Sequence, residues 1–219
     1  MEKKLKQKPI NLVKIVLFGP ESTGKTTLSK QLAHHYNTVW APEFAREYLQ
    51  KKWNNERKTC EADDLIPIAI GQMKLENKLA KKADKVLICD TDLLETKVYS
   101  QEFYGGFVDK KLNEAAEENQ YDLYLLTYID TPWEEDDLRD RPELRLEMFN
   151  AFEKALKDHK RPYIVLKGDK ETRLKTATEV IDKIISNKEH LYSFSESLQD
   201  VEMHFTHQTS DNGTNFNHE

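Results

Sequence analysis

The sequence predicts an α/β fold of three layers, in which a parallel sheet of about five strands is covered by helices on both faces. Two observations support this prediction. Short apolar runs alternate with segments of helical periodicity along most of the chain. In addition, a complete G-x-x-x-x-G-K-[ST] pattern at residues 19–26 directly follows the first apolar run, and this loop requires a strand before it and a helix after it.

The loop at residues 19–26 is typical of a phosphate-binding site. Gly19 and Gly24 let successive backbone N–H groups converge on a phosphate, and the following helix directs its positive end there. Lys25 adds a point charge for the β and γ phosphates, and the Thr26 hydroxyl can bind Mg²⁺. The pattern predicts a P-loop NTPase fold that binds ATP with Mg²⁺ through Gly19, Glu21, Ser22, Thr23, Gly24, Lys25, Thr26 and Thr27.

The remaining elements follow from periodicity and turn signals. Strands are predicted at residues 14–18, 38–41, 85–89, 122–127 and 163–166. Helices are predicted at about residues 25–36, 43–53, 61–82, 93–103, 109–118, 142–158 and 171–187.

Length and composition favour one domain over residues 1–189, because 219 residues with 38 % hydrophobic content can bury one sizeable core. Residues 190–219 are polar and without sustained periodicity, which predicts a disordered tail. The spacing of His204, His207 and His218 in this tail fits no common metal site.

The net charge of −6 argues against non-specific binding to nucleic acid. Lysines at positions 3, 4, 6 and 8 could form a local basic patch, but a solvated lead-in is the favoured interpretation. Lys14 interrupts the first apolar run, and cleavage after that run would destroy the phosphate loop, so a secretion signal is not predicted. No segment is predicted to span a membrane.

The two cysteines form no metal-ligand pattern. Cys89 lies in a predicted strand and is expected to be a small core residue. Together with Cys60 it indicates a reduced, cytoplasmic setting.

Two carboxylates follow the third predicted strand. Asp90 and Asp92 fall at its carboxyl end, which is the ligand-binding edge of an open α/β sheet. If the chain stays extended there, both point to one side. Asp90 is predicted to hold Mg²⁺, while the other carboxylate orients or deprotonates an attacking hydroxyl. For Asp92 an N-cap of the following helix is an equally good interpretation.

An arginine-containing segment at residues 133–142 lies between a strand and a helix, as a closing lid would. Arg139 and Arg141 are predicted to reach the transferring phosphoryl group, and Arg145 lies further along, in the following helix. A solvated face of compensating surface pairs is the alternative.

A third polar group follows the second predicted strand. Glu43 or Glu47 could hold sugar hydroxyls of an acceptor, and Arg46 could pair with either carboxylate or contact phosphate. Salt bridging along the helix is the alternative interpretation.

These motifs together resemble the ribosylnicotinamide kinase domain of the bifunctional NadR-type proteins, a small-molecule kinase branch of the P-loop fold. The resemblance is carried by GPESTGKTTL, by PEFAREY, by a Gly71-Gln72 helix, by the CDTD ending, by Phe103-Tyr104-Gly105, and by YDLYLL followed by TPWEEDDLRDRP. It covers nearly everything from residue 12 to about residue 188.

The resemblance implies ATP-dependent phosphorylation of the 5′-hydroxyl of nicotinamide riboside, which gives nicotinamide mononucleotide for NAD synthesis. Lys25 and Thr26 would serve ATP and Mg²⁺, Asp90 or Asp92 the metal and the acceptor, and the Arg139–Arg141 segment the lid. The acceptor site is expected to comprise Glu43, Arg46, Glu47, Gln72 and Trp133. An aromatic clamp for the nicotinamide ring would come from Trp40, Phe44, Tyr48 or Trp133.

Other functions stay open from the sequence. The acceptor could be another nucleoside or a nucleotide, because one scaffold serves many substrates. A nucleotide-sensing regulatory ATPase, whose lid is ordered by ATP for a protein partner, is a third hypothesis. A GTPase is disfavoured because Asn77-Lys78 is followed by Leu79-Ala80 and not by a guanine-reading motif.

Overall fold

The structure is a computed structural model that describes residues 4–139 and 141–188. Its centre is a sheet of five parallel strands in the order β2-β3-β1-β4-β5, which confirms the predicted fold class. The strands are β1 (Val13–Phe18), β2 (Trp40–Ala41), β3 (Val86–Asp90), β4 (Leu123–Thr127) and β5 (Tyr163–Leu166).

Seven α-helices surround the sheet within the described residues. They are α1 (Lys25–His35), α2 (Phe44–Glu56), α3 (Leu65–Leu79), α4 (Leu93–Phe103), α5 (Lys110–Glu118), α6 (Arg145–Asp158) and α7 (residues 170–188). Two predicted helices begin with a 3₁₀ turn, at Ala62–Asp64 before α3 and at Pro142–Leu144 before α6. Pro142 suits such a first turn because its missing N–H has no helical partner there.

The central strand β1 is buried on both faces, as expected of a parallel strand with helices above and below. Val13, Ile15 and Leu17 pack in a cluster with residues of α1 and α7. Val16 and Phe18 face the opposite cluster, formed with α4 and α6. Cys89 is buried in this second cluster, as predicted.

This topology brings three chain segments together at one edge of the sheet. Strand β1 lies between β3 and β4, and Leu17 is in register with Asp90 and Leu125. The loop after β1 therefore lies between the turns that follow β3 and β4. Ligands of open α/β sheets bind at this carboxyl edge.

The amino-terminal segment is docked on the domain and does not behave as a purely solvated lead-in. Leu5 is 1 % exposed and packs with Ala69, Met73 and Leu112. The predicted disordered tail at residues 190–219 and its three histidines lie outside the described residues. Over the described part of the chain, no helix has the length and apolar character that crossing a bilayer requires.

Candidate active site

The loop between β1 and α1 has the conformation that its glycines were predicted to allow. Gly19 has a φ of +131°, and a Cβ atom there would lie 2.9 Å from Oγ1 of Thr127. The Thr127 hydroxyl in turn forms a hydrogen bond of 2.7 Å with the Thr23 hydroxyl. Gly24, with a φ of +82°, is the N-cap of α1. Close packing against β4 thus holds the loop, and Gly19 is required for it.

Lys25 is 8 % exposed, and its ammonium lies within the loop. Nζ donates to the Gly19 carbonyl at 2.5 Å and to the Pro20 carbonyl at 3.0 Å. It also lies 3.3 Å from a carboxylate oxygen of Glu95. Burial alone would lower the pKa of Lys25, but the surrounding carboxylates outweigh burial and raise it. The lysine therefore stays charged, as a phosphate-binding residue must.

Thr26 and Asp90, which the sequence predicts as metal ligands, are hydrogen bonded to each other. The Thr26 hydroxyl donates to Oδ2 of Asp90 at 2.6 Å, whereas Oδ1 of Asp90 is buried and has no hydrogen-bond partner in the described part of the chain. Burial raises the pKa of Asp90 to about 6, and Glu43 adds to this shift. A hydroxyl beside a carboxylate with unused acceptor capacity is an oxygen ligand set that suits Mg²⁺.

Asp92 does not share a face with Asp90. Thr91 has a φ of +75°, so the chain turns between the two carboxylates and is not extended as expected. The Asp92 side chain accepts from the Glu95 N–H at 3.0 Å and from the Tyr124 hydroxyl at 2.7 Å. It is 1 % exposed. This geometry favours the alternative role of Asp92 as the N-cap of α4, and its catalytic role stays a prediction.

Replacing each aspartate by asparagine should separate these roles. Asp90→Asn is expected to weaken the Mg²⁺ dependence of activity and to lower turnover about 10²-fold, because a charged ligand is lost. Asp92→Asn should leave turnover close to that of the parent and lower stability by about 1 kcal/mol. Mg²⁺ titration of activity and urea unfolding measure the two effects. Equal, mild losses of activity in both variants would contradict the assignment.

Glu95 was not predicted as a functional residue, and it lies at the centre of the site. Its carboxylate is 2 % exposed, one oxygen lies 3.3 Å from Lys25, and the other, Oε2, has no hydrogen-bond partner within the described residues. Burial raises the pKa of Glu95 to about 8, although Lys25 acts in the opposite direction. A carboxyl group with a pKa near neutrality suits proton transfer.

The raised pKa of Glu95 predicts a pH dependence of stability. Between its unfolded value of 4.5 and about 8, the folded protein binds more protons at this group than the unfolded chain. The contribution of the Glu95 carboxyl to the free energy of unfolding therefore falls as the pH rises from 4.5 to about 8. The difference in the free energy of unfolding between nucleotide-free Glu95→Gln and the parent should therefore change with pH. From pH 5 to pH 8 it should move in favour of the variant by more than about 1 kcal/mol. Urea unfolding across this range checks it, and parallel stability curves would contradict it.

A cavity of about 190 Å³ adjoins the phosphate loop and is lined by α2, α3, α4 and the residues near Arg141. Its walls combine apolar and aromatic side chains with a few polar groups, as small-molecule sites do. The polar and aromatic lining includes Glu21, Glu43, Cys60, Gln72, Glu95, Tyr99, Phe103, Tyr104 and Arg141.

Three buried polar atoms of this cavity and of the adjoining Thr26–Asp90 pair have no hydrogen-bond partner among the residues that the structure describes. They are Nε2 of Gln72, Oε2 of Glu95 and Oδ1 of Asp90. Gln72 is held in place because its Oε1 accepts from the Phe44 N–H at 2.7 Å. Buried polar groups are normally satisfied. One unused donor and two unused acceptors therefore mark a site for a polar ligand.

The predicted acceptor residues divide into two groups. Glu43 and Gln72 line the cavity. Arg46 forms an ion pair with Asp136, and Glu47 forms an exposed pair with Lys51 on α2. Glu47 therefore adopts the alternative of salt bridging along the helix, whereas Arg46 pairs with a carboxylate of the segment after β4.

Trp133, predicted as an acceptor-site residue, lies beside the phosphate loop and is not among the residues that line the cavity, so its role stays a prediction. The neighbouring Glu134 N–H donates to the Ser22 hydroxyl at 2.7 Å. The aromatic lining comes from Tyr99, Phe103 and Tyr104, and none of the four aromatic clamp candidates is part of it. The sequence contains one signal for this aromatic lining, which is the family resemblance at Phe103-Tyr104-Gly105.

The predicted lid arginines contact different partners. Arg139 lies 3.3 Å from Asp136 and donates to the Glu134 carbonyl at 2.9 Å. The Arg141 guanidinium lies 4.4 Å from the centroid of the Phe103 ring, over the cavity. Arg145 reaches the phosphate loop itself, since its guanidinium donates to the Ser22 carbonyl at 3.1 Å.

Arg173, which was also not predicted, supports the loop from α7. Its guanidinium is 3 % exposed and donates to the carbonyls of Thr23 and Tyr128, at 2.5 and 2.9 Å. It also forms an ion pair with Asp130. An arginine so buried needs these partners. It joins the phosphate loop to the segment after β4.

The fold and this edge of the sheet define a P-loop nucleotide-binding domain. The sequence profile of the AAA domain family matches residues 14–173, which is more than half of the chain. The chain belongs to the AAA domain family.

Two curated relatives are described as the trifunctional NAD biosynthesis/regulator protein NadR. Those of Salmonella typhimurium and Escherichia coli are each 31 % identical to this chain over 132 residues, or 60 % of its length. The chain spans about a third of the length of these relatives, since the match covers 32 % of each.

Solved structures share the fold. A NadR protein in complex with NR superimposes with a TM-score of 0.68 at 22 % identity, covering 79 % of this chain and 51 % of that chain. A deoxyadenosine kinase from M. mycoides superimposes with a TM-score of 0.55 at 17 % identity, covering 78 % of this chain and all of that one.

Proposed function

We propose that this protein transfers the γ-phosphoryl group of ATP to the 5′-hydroxyl of a nucleoside, and that nicotinamide riboside is the acceptor. The observation that carries the proposal is the cavity beside Lys25, which is lined by an amide nitrogen of Gln72 and a carboxylate oxygen of Glu95 that have no hydrogen-bond partner among the described residues. The relatives described as NadR, and the NadR structure with NR, support the choice of acceptor.

In the proposed reaction, the acceptor hydroxyl oxygen forms a bond to the γ-phosphorus while the bond to the β-phosphate oxygen breaks. Lys25 neutralises phosphate charge, and its proton stays in place. The hydroxyl proton passes to a cavity carboxylate, Glu43 or Glu95. Thr26 and Asp90 would hold Mg²⁺, which supplies further neutralisation of phosphate charge when bound.

The cavity walls suit a ribosylated ring. Tyr99 and Phe103 provide flat apolar surfaces, and Gln72 offers an amide donor next to them. Arg141, stacked on Phe103, closes this end of the cavity. Aromatic walls bind flat rings by stacking, whereas carboxylates accept hydrogen bonds from ribose hydroxyls.

The test is ATP consumption coupled to detection of product mass, with purified protein, Mg²⁺ and a panel of acceptors. Nicotinamide riboside, adenosine, cytidine, uridine and thymidine should be compared under the same conditions. We expect nicotinamide mononucleotide to form well above every other product. A parallel panel with Gln72→Leu, which removes the unsatisfied amide, should lose turnover for the best acceptor while ATP binding is retained.

Other outcomes would identify other functions. Preference for another nucleoside would assign the chain to the substrate class of the deoxyadenosine kinase whose fold it shares. ATP binding with slow hydrolysis and no phosphorylated acceptor would favour the nucleotide-sensing ATPase. A cytoplasmic location, where ATP and reduced cysteines occur, belongs to the same proposal.

A further inference from the structure

A second cleft lies at the opposite edge of the sheet, beneath the amino-terminal segment. This segment, residues 4–12, is fastened by the burial of Leu5 and by hydrogen bonds to α3. The Gln7 amide donates to Glu76 at 2.9 Å, and the Lys8 N–H donates to Asn77 at 2.7 Å. The backbone that carries the lysines of the segment is therefore held on the domain.

The cleft has a volume of about 350 Å³ and is open to solvent on one side. Lysines dominate its charge: Lys6, Lys8 and Lys14 line it, against the single carboxylate of Glu118. Lys6 lies 3.6 Å from that carboxylate, and neither Lys8 nor Lys14 forms an ion pair with a residue of the lining. The rest of the lining is Gln7, Pro9, Ile10, Asn119 and Gln120.

Lys14 is the unusual member, because it lies in β1 and is only 7 % exposed. Its ammonium forms no hydrogen bond or ion pair within the residues that the structure describes. The nearby carboxylate of Glu76 is already bonded by Gln7 and by the Tyr121 hydroxyl. Asp122 accepts from the Lys14 backbone N–H and pairs with Lys188. Glu76 and Asp122 attract Lys14 as neighbouring charges but do not bond its ammonium, so its N–H donors are available to a ligand in the cleft.

We propose that this cleft binds a small anion that carries a phosphate group, with Lys14 as the inner contact and Lys8 at the rim. Lysine is a common point-charge ligand of phosphate. The amide side chains of Asn119 and Gln120 add polar groups to the lining.

The site is separate from the phosphate loop. Lys14 lies near the start of β1, and the loop begins after its last residue, Phe18, so that about 13 Å of strand separate the two lysine environments. The proposal is therefore independent of the proposed kinase function and can stand or fall without it.

The test is an NMR titration of the ¹⁵N-labelled full chain with inorganic phosphate, in the presence of saturating ADP and Mg²⁺ to keep the phosphate loop filled. Amide shifts should concentrate at Lys8, Lys14 and Asn119. Lys14→Met, which keeps the length of the side chain, should weaken phosphate binding at least about tenfold. Lys154→Met is the matched control, because Lys154 is an exposed lysine of α6 that pairs with Asp158.

Lys8→Ala, at the rim, gives a second readout if Lys14→Met does not fold, and it should weaken binding severalfold. Shifts confined to residues 19–26, or unchanged affinity in both cleft variants, would overturn the proposal. The same titration with citrate in place of phosphate tests whether the cleft selects a phosphate group. Equal binding of citrate at the cleft would overturn the assignment to phosphate chemistry.

Discussion

Lys25→Met should lower the rate of phosphoryl transfer by about 10²- to 10³-fold, because a buried charge directed at the transferring phosphates is lost. Lys25 lies inside the loop, where its ammonium contacts two backbone carbonyls and Glu95. Water is largely excluded there, so bulk solvent cannot replace the missing charge.

The fold should survive this substitution. Burial places the pKa of Glu95 at about 8 even with Lys25 present, so the carboxyl can take up a proton when its cationic partner is removed. The measurement is kcat for the best acceptor together with an unfolding curve. Lys51→Met is the control, since Lys51 forms an exposed pair on α2. Unchanged turnover in Lys25→Met, with nucleotide still bound, would remove the basis of the proposed chemistry.

Gly71→Ala is expected to destabilise the protein by about 1 to 3 kcal/mol or more, against the usual trend for this substitution in a helix. Gly71 lies inside α3, where alanine would ordinarily be favoured by about 1 kcal/mol. A Cβ at this position would lie 2.1 Å from the Phe44 ring. The ring must therefore move, and this movement disturbs the hydrogen bond from the Phe44 N–H that holds the Gln72 side chain.

A double-mutant cycle with Phe44→Leu isolates this clash. Phe44→Leu alone should lower the free energy of unfolding, because packing is lost. The double variant should lose less free energy of unfolding than the two single losses added together. Urea unfolding gives the four free energies, and acceptor KM reports on displacement of Gln72. Strict additivity would show that the close approach of Gly71 to the ring does not control stability.

The positions of the phosphate loop and of Asp90 in the fold were predicted from local sequence, whereas their roles stay predictions. The residues of the phosphate loop and Asp90 follow strands whose apolar patterns identify them, and parallel strands place their carboxyl ends at one edge. The boundaries of most helices were also close, because their apolar periodicity and caps are local signals.

Other features could not be predicted because they depend on packing. The turn at Thr91 separates Asp90 from Asp92, and a single positive φ has no reliable signal in a threonine. Glu95 looks like an ordinary first-turn helix residue until burial brings it beside Lys25. Trp133 and Glu47 were predicted by proximity in sequence to motifs, whereas the cavity is lined by residues of α3 and α4.

Arg173 has a consequence for any effort to dissect this chain. Its hydrogen bond to the Thr23 carbonyl makes the last helix a structural part of the nucleotide loop, although some 150 residues separate them in sequence. Ala177 and Ile181 of the same helix are fully buried against the sheet. A truncated fragment ending after β5 would keep every residue of the phosphate loop but would lose the Arg173 contact that supports the loop.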